Sequence, residues 1–234
     1  MIKSPKVLAV IPARGGSKRL PRKNIALLNG QPMIAYTIKA AKEAKKITDF
    51  LVSTDDEEIK TISIKYGAPV PFIRPKSLAT DTVRNIDVMF HAVEYMERLK
   101  GYRYDILVLL QPTSPFRSAS HIDIAIDSIT QSNLQSLASV KGPFQKRDPI
   151  LKVVNSGGQL VDYSNNPKKR TKEFFIYNAA LYVVKRRYFG KHKKIISPRQ
   201  IPLIMDKYHS IDVDDISDFR TAEIYLQMRE KGEI

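Results

Sequence analysis

VLAVIPARGGSKRLPRKN, residues 7–24, joins two patterns that together select a fold. VLAVI (7–11) is an unbroken apolar run, as expected of a parallel strand buried on both faces. The polarity then reverses at once, with Gly15 and Gly16 set among Arg14, Lys18, Arg19, Arg22 and Lys23. In open α/β sheets ligands bind at the carboxyl ends of strands, so this loop is placed to meet an anion. Its glycines let backbone N–H groups approach closely, and its cations supply charge where a polyphosphate concentrates it. The spelling is neither the GxGxxG of a dinucleotide fold nor the GxxxxGK[ST] of a P-loop. The alternative is a flexible basic surface loop.

The neighbouring segments support the strand. PMIAYTIKAAKEAKK (32–46) places Met33, Ile34, Ile38 and Ala41 at helical spacing, with Pro32 positioned to open the helix. DFLVST (49–54) predicts a strand, and DDEEIKTISIKYG (55–67) a helix with acids at its start and Gly67 at its stop. PVPFI (69–73) reads as a short strand. Residues 84–100 read as a helix carrying Ile86, Met89, Phe90, Val93 and Met96, and DILVLL (105–110) as another apolar strand. SASHIDIAIDSI (118–129) follows as a serine-capped helix. Alternation of this kind predicts a doubly wound α/β fold, a mostly parallel sheet with helices on both faces.

Past residue 135 the rhythm becomes strand-rich: SLASV, ILKVV, QLVDY, IYNAALYVV and HSIDVD, divided by NSGG (155–158) and SNNP (164–167). DDISDFRTAEIYLQMREK (214–231) closes as an amphipathic helix. A length of 234 residues fits one domain, 1–234, with about 140–176 as a small excursion suited to packing on a partner chain or to lying free as a surface hairpin.

Composition narrows the function classes. Zero cysteines exclude disulfides, thiolate metal sites and cysteine nucleophiles, and fit a cytoplasmic protein. Nothing resembles a signal peptide, and no apolar run approaches the ~20 residues that span a bilayer, so no membrane insertion is expected. The net charge of +15 raises a nucleic-acid partner, but the cations are dispersed, with small runs at PKKR (167–170), KRR (185–187) and KHKK (191–194). No finger, helix-turn-helix or aromatic RNP strand accompanies them. No dedicated nucleic-acid role is expected.

Two further stretches should reach the same strand ends: RPKSLATDTVRN (74–85) and QPTSPFR (111–117). Gln111, Thr113 and Ser114 offer neutral hydrogen-bonding groups on a backbone stiffened by Pro112 and Pro115, suited to a base or sugar, or simply to a rigid turn. Arg74 could serve a base or a phosphate, or be a surface arginine. In SIDVDD (210–215), Asp212 and Asp214 would share one side of an extended segment, as a hard divalent cation requires. A helix cap at Asp214 or Asp215 is the other use of these carboxylates. His91, His121, His192 and His209 are scattered and show no metal spacing.

These motifs, taken in order, resemble the acylneuraminate cytidylyltransferases, the CMP-sialic acid synthetases, and their relatives acting on legionaminic or pseudaminic acid. The likeness rests on IPARGGSKRLPRKN (11–24), VSTDDEEI (52–59), FIRPKSLATDT (72–82), LLQPTSPFR (109–117), IYNAALYV (176–183) and SIDVDD (210–215). It implies a Rossmann-like nucleotidyltransferase fold, a homodimer whose inserted region packs over the neighbouring site, and transfer of CMP from CTP to a nonulosonic acid with Mg²⁺, for which Mn²⁺ can substitute. It also implies that Arg14, Lys18 and Lys23 face the triphosphate, with Ala13, Gly15, Asn24 and Arg74 near the nucleotide and Ala79 and Thr82 beside cytosine and ribose. Gln111, Pro112 and Thr113 would lie between nucleotide and acceptor. Arg170, Phe175, Tyr177 and Asn178 would line the acceptor pocket, and Asp212 and Asp214 would hold the metal. The chain departs from the pattern where Ala179 replaces a glycine, at Val83 and Arg84 after TDT, and at KKRTKEFF before the acceptor strand. The ATDT spelling leans toward sialic or legionaminic acid over pseudaminic acid.

Overall fold

The structure is a computed structural model that describes residues 4–144, 151–163 and 173–234. The opening apolar run is strand β1 (Val7–Pro12), fully buried up to its last residue. It lies at the centre of the sheet, paired in parallel with β4 (Asp49–Ser53) and β5 (Ile106–Leu110). Short strands β2 (Leu27–Leu28) and β3 (Gln31–Pro32) form a separate hairpin.

Strand alternation feeds two cores. Val7, Ala9 and Ile11 point to one face, against Ile34 and Ile38 of helix α1 (Met33–Glu43), Ile59 of α2 (Glu57–Lys65) and Ile122 and Ile126 of α4 (Ala119–Gln131). Leu8 and Val10 point to the other, against Met89 and Val93 of α3 (Asn85–Lys100) and Phe189 of α5 (Arg186–His192). Helices on both faces follow from a period of two in strands whose every residue is apolar.

Beyond β5 the sheet turns mixed. Strand β9 (Phe174–Lys185) runs antiparallel to both β5 and β6 (Ser136–Phe144). The order is β10-β6-β9-β5-β1-β4, with β7 (Lys152–Val154) and β8 (Leu160–Asp162) as a hairpin branching from β9. Helix α6 (Ile216–Glu230) packs Phe219, Ala222 and Leu226 onto Leu28, Met33 and Phe116.

Several expectations need correction. Residues 69–73 form no strand: a lone bridge from Ile73 to Thr54 and a Val52 amide donating to the Pro69 carbonyl are all the pairing they make. Pro69 and Pro71 have no N–H to give a ladder. HSIDVD is likewise not a strand; Val213 donates to the Thr113 carbonyl at 2.8 Å instead. Conversely, β10 (Ile201–Ile204) gave no signal because Pro202 interrupts it, which an edge strand tolerates. The short helix α5 carries no local signal among its cations.

Candidate active site

The strand ends converge as expected. A cavity of about 510 Å³ opens where β1 and β5 end, and its walls include Arg14, Lys18, Lys23, Asn24 and Arg74. Gln111, Pro112 and Thr113 form a second wall, and Asp212 and Asp214 a third. Ala13, Gly15, Ala79 and Thr82 are not among the lining residues. Ala13 is fully buried in the core below. Residues Leu78, Thr80 and Asp81 of the same loop line the cavity in place of Ala79 and Thr82.

The cationic loop is held by two acids that sequence patterning treats only as a helix start. Asp55 Oδ1 accepts from the Gly15 amide at 3.2 Å and from Arg74 Nη2 at 3.3 Å. Asp56 caps α2 through the Ile59 amide and accepts both Arg22 Nη1 and Nη2, so Arg22 turns away from the cavity. Gly15 is required by this packing: a Cβ there would lie 2.6 Å from Asp56 Oδ2. With its amide bonded to Asp55, Gly15 is not among the residues lining the cavity.

Inside the cavity the cations meet carboxylates of the protein itself. Arg14 pairs with Asp81 at 2.8 Å and Lys18 pairs with the same group, which together hold the Asp81 carboxyl below its usual pKa, Lys18 foremost. Lys23 Nζ donates to the Val213 carbonyl at 2.7 Å and to Asp214 at 3.2 Å, and Arg19 reaches Asp214 as well. Asn24 is buried, its amide donating to the Arg14 carbonyl.

Asp212 is the most unusual group. Burial raises its pKa above the ordinary carboxylate value, Asp214 and Asp218 add to the rise, and Thr113 and Lys23 oppose it. Its Oδ1 is buried without a hydrogen-bond partner. A buried oxygen lacking a donor costs free energy unless something fills the place. Two carboxylates with oxygen ligands only suit a hard cation that keeps waters and phosphates as its other ligands. Among the described residues no group of three or more His, Cys, Asp or Glu side chains gathers as a metal site. Helix capping falls to Asp215, which accepts from Ser217 and Asp218, so the cap engages neither the Asp212 nor the Asp214 carboxylate.

A second cavity, about 490 Å³, adjoins the first and shares Asp212. Lys141, Phe144, Lys207, Thr221 and Tyr225 are among its walls. Of the expected acceptor residues, Gln111 lines the first cavity, and Phe175, Tyr177 and Asn178 are not among the walls of the second. Phe175 is buried with Val140 and Leu160, and the Tyr177 hydroxyl donates to Gln200 at 2.7 Å. Asn178 is 2% exposed and bonds Ser139 and Ser210. Central strand β9 turns these side chains inward, which a period-two count alone does not reveal. Arg170 lies outside the described residues. Lys141, Lys207 and Tyr225 were missed because they come from three separate elements.

A doubly wound sheet with a cation loop at its strand ends and two carboxylates beside it defines a class, the nucleotide-handling α/β transferases. The chain belongs to the cytidylyltransferase family, whose pattern matches residues 8–230. It is 34% identical to a CMP-N,N'-diacetyllegionaminic acid synthase of Legionella pneumophila, over 97% of this chain and 99% of that one. It is 32% identical to an N-acylneuraminate cytidylyltransferase of Escherichia coli, over 98% of this chain and 54% of that longer protein. Its fold superposes with a TM-score of 0.76 on a CMP:2-keto-3-deoxy-manno-octonic acid synthetase solved with CTP, at 17% identity and with 96% of this chain and 99% of that one covered.

Proposed function

We propose that the protein transfers CMP from CTP to the anomeric 2-hydroxyl of a nonulosonic acid of the legionaminic or N-acetylneuraminic type, releasing pyrophosphate. The observation that carries this reading is Asp212, set where a cation-lined cavity meets a second one of similar size. A triphosphate fits the first and a sugar acid the second, with the reacting atoms meeting at their junction.

In the reaction the sugar oxygen attacks the α-phosphorus, the bond to the β-phosphate oxygen breaks, and the hydroxyl proton passes to solvent. Arg14, Lys18 and Lys23 would exchange their carboxylate partners for phosphate oxygens and stabilise the charge that grows on the leaving pyrophosphate. Gln111 and Thr113 would orient nucleotide and acceptor for in-line attack. Lys141 and Lys207 give the second cavity the positive charge that a sugar carboxylate needs. Asp212 and Asp214 would hold a divalent cation, magnesium or manganese, which when bound neutralises phosphate charge and polarises the reacting groups. The chain would act as a single domain, with about 140–176 completing a neighbour's site in a homodimer.

The test is mass spectrometry of products formed from CTP with N-acetylneuraminic, N,N'-diacetyllegionaminic and pseudaminic acids in competition. CMP adducts of the first two are expected. Pyrophosphate release with none of the three would refute the proposal, and exclusive use of pseudaminic acid would correct the acceptor.

A further inference from the structure

We propose that Arg117 is a positioning residue, gripping the Gln111–Thr113 wall of the cavity against a kink in β9. This rests on the transferase reading above.

Arg117 is 2% exposed, and among the described residues no carboxylate pairs with it. Burial lowers its pKa from the ordinary arginine value, yet a guanidinium keeps its proton over the working pH range. A buried charge with no opposite charge beside it is costly. The guanidinium's hydrogen bonds show what the charge achieves. Nη1 donates to the Gln111 carbonyl at 3.1 Å and to the Ala180 carbonyl at 2.7 Å, while Nη2 donates to Thr37 Oγ1 of α1 at 2.8 Å. One rigid fork thus ties the end of β5 to β9 and α1.

The anchor on β9 is itself unusual. Ala179 adopts φ 60°, a left-handed conformation that a residue with a Cβ rarely takes. The β6–β9 register slips at the same place, between Ala138 and Val140. On the other side of the kink, Asn178 Oδ1 accepts from the Ala180 amide and from Ser139, and its Nδ2 donates to Ser210 at 2.9 Å, two residues before Asp212. The loops then close on each other, Val213 N–H to the Thr113 carbonyl. Arg117 and Asn178 hold the two walls of the cavity from one kink, and strain at Ala179 persists because both sides are bonded.

The experiment compares Arg117→Met, Arg117→Lys and Thr37→Val with the parent protein. For Arg117→Met we expect kcat for CMP transfer to fall by roughly 30- to 100-fold, the scale of a small misplacement at a reacting centre. The Kd for CTP should stay within about threefold, while the melting temperature should fall because the Gln111 and Ala180 carbonyls and Thr37 Oγ1 lose their donor. Amide exchange at residues 111–114 should quicken. Lysine, which can reach one carbonyl, should restore part of kcat, and Thr37→Val should lose less than either. Unchanged kcat, or a loss that merely tracks the folded fraction, overturns the proposal. If the methionine variant does not fold, parental turnover in both other variants overturns it equally. A parent protein that makes no CMP-sugar would refute the transferase reading, while the exchange comparison would still test the grip of Arg117.

Discussion

Asp212 is under two opposed demands. Its raised pKa means that ionisation is disfavoured in the folded chain, with burial as the main cause. A carboxyl whose folded pKa lies above its unfolded one takes stability away as pH rises through that window. Asp212→Asn removes the burdened charge at nearly constant shape, so the metal-free protein should melt at the same temperature or higher at pH 7. The difference should narrow as pH falls toward the carboxyl's own pKa. Turnover with CTP should drop by roughly 10² to 10⁴, the loss typical of a major transition-state interaction. Lower stability with normal kcat would make Asp212 a structural residue of the loop. Arg117 has the same character, a charge kept in the interior at a cost that packing does not explain.

At the scale of elements, helix α4 carries a pH-sensitive start. Ser118 caps it, and the Nδ1 of His121 accepts from the Ser118 amide at 3.2 Å to complete a capping box. Burial lowers the His121 pKa, and the charges of His209 and Arg117 lower it further, against Asp206. The folded state therefore prefers the neutral ring, while the unfolded chain takes up a proton near the ordinary value of 6.5. Stability is fully present above that pH and is lost as pH falls toward the lower folded pKa. Glutamine also completes a capping box, without titrating. His121→Gln should flatten the fall in melting temperature between pH 7 and 5, leaving the part due to His91, which burial also depresses. Equal slopes in the two proteins would show that this cap is not the sensor. The boundaries of α4 were legible because Ser118 and the Ile122, Ile126, Ile129 spacing are local signals. Strand β10 was not, because pairing with β6 rather than its own sequence makes it a strand.

For the whole molecule, the proposed dimer is the least local expectation. Phe144, at the end of β6 in the wall of the second cavity, and Ile204, at the end of β10, are large apolar residues left exposed, 38% and 53% accessible. Sedimentation velocity should give twice the chain mass of 26.6 kDa, with activity per chain falling as dilution favours the monomer. A fully active monomer would remove the shared-site reading. Among the described residues no helix is long and apolar enough to cross a membrane.

The sequence by itself determined the parts governed by near neighbours. VLAVI had to be a buried strand, the glycines and cations after it had to lie at a sheet's carboxyl end, and Asp215 could cap because it precedes a helix. Tertiary structure decided which polar groups face a ligand and which serve the scaffold. Asn178 and Tyr177 look like pocket residues in IYNAALYV, yet both turn toward partners 32 and 23 residues away in the chain. Gly15 looks like a bare anion cradle, yet Asp55, 40 residues on, takes its amide. Arg117 reads as the end of a proline-rich loop, yet it is bonded to Ala180, 63 residues on. Hydrogen-bonding capacity is a property of the residue and is visible in sequence. Its partner is fixed only when distant strands and helices come together, because a buried donor or acceptor must then be satisfied by whatever the fold has brought beside it.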